Sequence, residues 1–146
     1  EIQTDPKLSI YLNSESIAIL MKNLVITNIG LGPAYNVKFE LNPDFTLLDG
    51  TKLSEVNLIK NGISYMAPQY KFEFLLSDYN YFKKYADISF KMKVSYQNSF
   101  KKRFEEEFTL DFSVWKNMEI VDPVGFSDVV KELEKININL KELKKT

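Results

Sequence analysis

The nine residues Ile88–Tyr96, ISFKMKVSY, alternate apolar and polar without a break. Ile88, Phe90, Met92, Val94 and Tyr96 fall on one face, and Ser89, Lys91, Lys93 and Ser95 on the other. A helix would scatter the apolar five around its circumference. An extended chain, whose side chains alternate with period two, gathers them on one surface. The stretch therefore reads as a half-buried β-strand. Phe104, Phe108, Leu110, Phe112 and Val114 repeat the parity after a short polar break, which predicts an antiparallel hairpin. For both apolar sets to share a face, paired residue numbers must sum to an even number, so the loop has an odd length. A three-residue loop at Asn98-Ser99-Phe100 satisfies this and sets Lys93 opposite Glu105 and Lys91 opposite Glu107. Glu106 then falls on the apolar face, where an unpaired carboxylate is costly. Either a bulge turns it outward or it lies near the end of the sheet.

The same parity recurs on both sides. Tyr35, Val37, Phe39 and Leu41 alternate with Asn36, Lys38 and Glu40, and Tyr70, Phe72, Phe74 and Leu76 form a further set. Leu8, Ile10 and Leu12 make a shorter one. Ile17 to Ile29 has no clean parity, as expected of a central strand or one interrupted by a bulge. Val56 to Ile59 is a weaker strand candidate. About seven short strands with no helix alternating between them predict a mainly β fold, an antiparallel two-sheet β-sandwich. The tail changes period. Phe126, Val129, Leu133, Ile136, Leu140 and Leu143 are spaced 3, 4, 3, 4, 3, the seam of an amphipathic α-helix. Asp122-Pro123 and Gly125 form the joint. The expected organisation is a sandwich over residues 1–124 and a C-terminal amphipathic helix over 125–146, packed on the sandwich or extending from it.

Composition excludes several classes of function. The chain of 146 residues is long enough for one buried core, and its net charge of -1 lacks the basic footprint of a nucleic-acid binder. It contains neither Cys nor His. No disulfide, thiol nucleophile or zinc site of the usual ligands can form, and the commonest general base near neutral pH is missing. No metal or cofactor is expected. No apolar run approaches the roughly 18 residues of a membrane span. Because the chain opens with Glu1 rather than Met, a preceding signal or anchor is an expectation.

The turn NIGLGPAYNV, Asn28–Val37, admits two readings. A phosphate cradle needs converging amides at a helix start, usually followed by Lys and a hydroxyl. Here Pro33 lacks an amide hydrogen, a strand follows, and no Gly-Lys-Ser/Thr occurs. As a corner between strands every residue has a use: Gly30 tolerates positive φ, Pro33 fixes φ, and Asn28 can bond the turn's backbone. The corner reading is preferred. This N-x-G-x-G-P-A-x-N-V string, with Val94–Asn98 (VSYQN) and Phe108–Phe112 (FTLDF), resembles a loose group of uncharacterised bacterial membrane-anchored proteins. In that group an N-terminal membrane helix precedes an immunoglobulin-like sandwich. The resemblance spans about residues 6 to 115. It implies an immunoglobulin-like fold and an anchor outside this fragment, leaves the localisation of the domain open, and transfers no catalytic residue.

Few constellations suggest chemistry. Tyr79, Tyr81, Phe82 and Tyr85 can form a sugar-stacking platform or a protein-binding hot spot, or close one sandwich end as a packed crossover. Asp44, Asp49, Asp78 and Asp87 fit no calcium-loop pattern. Neighbours within Glu105–Glu107 face opposite sides, and Glu105 and Glu107 face lysines, which makes them a solvated ladder and not an acid pair. The tail stripe can dock on its own sandwich or pair with a copy of itself or a partner helix; intramolecular docking is the preferred expectation. The expected function is a non-catalytic protein-interaction module, the soluble part of a membrane-anchored protein. The alternative is a carbohydrate- or small-ligand-binding module using the Tyr79–Tyr85 cluster. The residues expected to bind are that cluster and Leu133, Ile136, Leu140 and Leu143.

Overall fold

The computed structural model describes residues 4–14, 21–77, 87–115 and 126–144. In chain order its elements are β1 (Leu8–Asn13), β2 (Lys22–Asn28), β3 (Ala34–Asn42), α1 (Asn57–Asn61), β4 (Ile63–Met66), β5 (Lys71–Ser77), β6 (Ser89–Gln97), β7 (Arg103–Asp111) and α2 (Phe126–Leu143). One antiparallel sheet has the order β1-β2-β5 and the other β4-β3-β6-β7. The inward rows of each sheet meet as one core, Leu8, Ile10, Leu24 and Ile26 against Phe90, Met92, Val94 and Leu110. The fold is a β-sandwich. Phe45 closes one part of the core by stacking between Phe90 and Phe112, at centroid distances of 5.2 and 5.3 Å.

The β6–β7 hairpin keeps the expected faces but not the expected register. Gln97 pairs with Arg103 and Lys93 lies directly opposite Glu107, so the loop spans five residues, not three. Asn98 sets that length. Its side-chain oxygen accepts the amides of Phe100 and Lys102, both at 2.9 Å, and Lys101 takes a left-handed φ of 65°. A shift of two residues preserves parity. The ion pairs therefore survive as diagonals: Lys93 with Glu105, and Lys91 with Glu107 at 3.8 Å.

Glu106 does face inward, and no bulge is needed. It accepts a 2.9 Å hydrogen bond from the Tyr96 hydroxyl and lies 3.8 Å from the Lys7 ammonium, with its side chain 29% exposed. The Tyr96 oxygen in turn accepts the Leu8 amide at 3.3 Å. β1 and β7 belong to different sheets, so this chain ties the two layers together where they meet. Burial is the main cause that pushes the Tyr96 hydroxyl up to about 12; Glu106 adds to it and the Leu8 amide opposes it.

Other expectations are corrected. Val56–Ile59 is not a strand: a 3-10 turn at Leu53–Glu55 leads into α1, which buries Ile59. β4 follows at once, beside β3. The run Phe104–Val114 stops as a strand at Asp111, whose carboxylate accepts the Ser113 amide at 2.9 Å and turns the chain into a 3-10 segment, Phe112–Trp115. Phe112 stays buried and Val114 is exposed. In β3 an irregularity between Tyr35 and Lys38, with Asn36 at φ 51°, resets the alternation. Ala34 and Val37 are buried, whereas Tyr35 packs edge-on against the exposed Tyr65. β2 is the central strand of its sheet, with a register shift at Lys22/Asn23, which explains its lack of parity.

The glycine turn is a corner, but its physics differs from that expected. Neither Gly30 nor Gly32 has positive φ; Gly50 and Gly62 do. Gly30 and Gly32 are bare because the backbone of residues 4–7 crosses them. A Cβ on Gly30 would stand 2.5 Å from the Lys7 nitrogen and 2.7 Å from the Pro6 carbonyl carbon, and one on Gly32 would stand 2.6 Å from the Thr4 carbonyl carbon. Buried Asn28 fastens the crossing. Its oxygen accepts the amides of Gly30 at 3.0 Å and Lys7 at 3.2 Å, and its amide donates to the carbonyls of Gly32 at 3.0 Å and Met66 at 3.2 Å. Gly32 donates its own amide to the Asp5 carbonyl at 3.3 Å. The Gly30 and Gly32 amides, which a phosphate would need, already have partners.

Candidate functional site

α2 is rich in Leu, Lys and Glu and holds no Gly or Pro over its 18 residues, so propensity alone favours a helix. An isolated helix of this length is nonetheless marginal in water without a packing partner. Lys135 and Glu132, three residues apart, pair at 3.3 Å and contribute only a few tenths of a kcal/mol. The spacing of Leu133, Ile136, Leu140 and Leu143 puts them in one row, and they are 60, 53, 53 and 70% exposed. Residues 131–144, which hold these four of the six stripe residues, are exposed throughout. This exposed apolar row, on a helix whose other positions are mostly charged or amide side chains apart from the exposed Ile138, stands out among the described residues.

Tyr79, Tyr81, Phe82 and Tyr85 lie outside the described residues, as does Asp78. The sites that sequence reasoning set aside are quiet in the structure too. The Asp44 carboxylate accepts the amides of Phe45 at 2.8 Å and Ser54 at 3.2 Å, and also takes the Ser54 hydroxyl. Burial alone would raise its pKa, but the hydrogen bonds from Ser54 and Phe45 outweigh it and hold the carboxyl below the usual range. Asp49 caps the Thr51 amide at 2.9 Å. Among the described residues no group of three or more His, Cys, Asp or Glu could hold a metal ion, and no helix is long and apolar enough to cross a membrane.

A groove of about 630 Å³ runs along the outer face of the four-stranded sheet beside α1. Four cations, Lys38, Lys60, Lys93 and Arg103, and two carboxylates, Glu40 and Glu105, line it, and Glu105 pairs with both Lys93 and Arg103. It offers a laddered, solvated surface in place of a converging set of groups.

Sequence reasoning missed one residue of unusual chemistry. Lys22 interrupts the apolar run before the turn and reads as a break, yet it is 1% exposed. Its ammonium donates to the Ser14 hydroxyl at 3.0 Å and sits 4.7 Å from the centre of the Trp115 ring. Burial pulls its pKa down to about 8. The one clue in the sequence was a lysine inside a central-strand pattern; its partner Trp115 lies 93 positions away, beyond the reach of periodicity.

Residues 1–116 match the family DUF8453, described as a domain of unknown function. The chain belongs to that family. The match takes in the whole sandwich and ends before α2. No curated protein and no solved structure matches the chain.

Proposed function

We propose that this domain is a non-catalytic protein-interaction module in which the sandwich is a rigid support and α2 the binding element. The observation that carries the reading is the exposed row Leu133, Ile136, Leu140 and Leu143. Helix-in-groove and helix-to-helix recognition both use apolar anchors at 3–4 spacing, and such a row gains most by leaving water. The lack of His and Cys and the internally paired carboxylates argue against catalysis. The strand orders β1-β2-β5 and β4-β3-β6-β7 support an immunoglobulin-like sandwich, since they separate the strands into two sheets in the manner of those domains. Membrane anchoring through a segment outside this chain is part of the same reading and rests on the resemblance of the turn.

Affinity capture with chemical crosslinking, using the intact chain and a chain ended after Val124, tests the reading. Protein contacts made by the intact chain should vanish with α2. Equal capture by both forms would move the binding surface to the sandwich and refute the role given to the helix.

A further inference from the structure

The proposal that α2 is a binding element leaves its occupant open, and the helix itself carries information on that point. We infer that the occupant is α2 of a second copy of this chain, packed antiparallel. This rests on the reading of α2 as the interaction element and names the partner.

Three observations favour it. First, the row keeps strict 3–4 spacing, with Leu133 and Leu140 at one core position of the heptad and Ile136 and Leu143 at the other. Such a seam complements a copy of itself. Second, Leu133 and Leu140 occupy a positions and the β-branched Ile136 a d position, an arrangement that in parallel coils disfavours a two-stranded pair and shifts preference to higher oligomers. Antiparallel packing sets a against d, so in a pair position 133 of one copy meets position 136 of the other and position 140 meets position 129. Third, charge is graded along the helix. The first half, 126–134, carries Asp128, Glu132 and Glu134 against Lys131, and the second half, 135–143, carries Lys135 and Lys141 against Glu142. Antiparallel pairing brings the acidic end of one helix beside the basic end of the other and opposes the two helix dipoles, while parallel pairing juxtaposes like ends. The positions flanking the seam hold Glu132, Asn137, Asn139 and Lys144, so no like charges face each other across it.

Full overlap of the two helices sets position 143 of one copy beside position 126 of the other. In a parallel pair, position 143 faces its own equivalent; in the antiparallel pair those two positions are about 25 Å apart at 1.5 Å per residue. The absence of cysteine makes the distinction easy to read. Leu143→Cys alone, and a mixture of Leu143→Cys with Phe126→Cys, are oxidised in the full chain, alongside sedimentation equilibrium of the unmodified chain and of Leu133→Glu/Leu140→Glu. Expected are a concentration-dependent dimer, a monomer for the double glutamate variant with an unchanged sandwich melt, and at least tenfold more crosslinked dimer in the mixture than in Leu143→Cys alone. Efficient crosslinking of Leu143→Cys alone would overturn the antiparallel arrangement. A monomer at all concentrations would overturn the second copy. If the double glutamate variant then still abolished capture of another protein, the interaction reading would stand without the self-pairing; if capture were unaffected, both would fall.

Discussion

Replacing Gly30 or Gly32 by alanine should cost about 2–4 kcal/mol, and the figure can be built from the crossing of residues 4–7 over the turn. A methyl group at either position meets backbone, which cannot swing aside as a flexible side chain can. Relief requires moving the Thr4–Lys7 segment. That movement strains the Ile29 amide bond to the Lys7 carbonyl at 2.8 Å, the Gly32 amide bond to the Asp5 carbonyl at 3.3 Å and the Lys7 amide bond to Asn28 at 3.2 Å. At about 0.5–1.5 kcal/mol net for each bond, their loss gives roughly 2–4 kcal/mol, and overpacking costs of about 1–3 kcal/mol fall in the same range. For a domain of this size that corresponds to a fall in melting temperature of roughly 8–16 °C. Gly50 is the control. It has φ 88° and nothing within 4 Å of an added Cβ, so Gly50→Ala carries conformational strain alone, about 1 kcal/mol. Thermal melts of the three variants decide the matter. If Gly30→Ala and Gly32→Ala lost no more than Gly50→Ala, close approach would not be the reason for these glycines.

Tyr96→Phe should lose about 1–3 kcal/mol in urea unfolding, because the Leu8 amide and the Glu106 carboxylate both lose a partner at the meeting of the sheets; an unchanged midpoint would refute the tie between layers. The pH profile should rise and then fall. Lys22, held down to about 8 in the fold, binds fewer protons there than in the unfolded chain, so stability increases between about pH 8 and 10.5. Tyr96, held up to about 12, keeps its proton longer in the fold, so stability is lost from about pH 10 to 12. Melts across this range should show the rise disappear in Lys22→Met and the fall disappear in Tyr96→Phe. Lys93→Ala should change stability by less than about 0.5 kcal/mol, since its pair with Glu105 lies in water; a larger loss by urea titration would mean that the ladder is structural. Chelator should leave the melting temperature unchanged and calcium or zinc should not raise it, since a ligand of the native state must stabilise it by mass action.

Parity carried the fold because burial enforces it. A one-residue slip in β6 would drive Lys91 and Lys93 into the core, so ISFKMKVSY admits one orientation only. A two-residue slip leaves every side chain on its face, and nothing in the alternation distinguishes a loop of three from one of five. The choice fell to Asn98, whose side chain organises the longer loop, and local chemistry of that kind leaves no periodic trace. The same limit hid β4, whose run Ile63–Met66 is too short to show alternation, and it turned Val56–Ile59 into a strand on composition alone. The glycine turn was legible as a corner. Its cause was not, because the segment it accommodates lies more than twenty residues earlier in the chain.

The tail shows where pattern stops being informative about energy. A 3–4 repeat fixes which side of a helix is apolar, and α2 is a helix with that side. It does not fix what lies opposite, because docking at home and pairing abroad bury the same row and gain the same transfer free energy per unit area. What separates them is whether the sandwich offers a complementary apolar surface, and that depends on side chains distributed over seven strands. Here the inward rows of both sheets are already matched to each other, with Leu24, Ile26, Met92 and Val94 fully buried without any help from the helix. A core that closes on its own needs no further stripe to complete it. The apolar residues of α2 between 131 and 144 are exposed in the single chain, and the energy gained by covering them is left available for association.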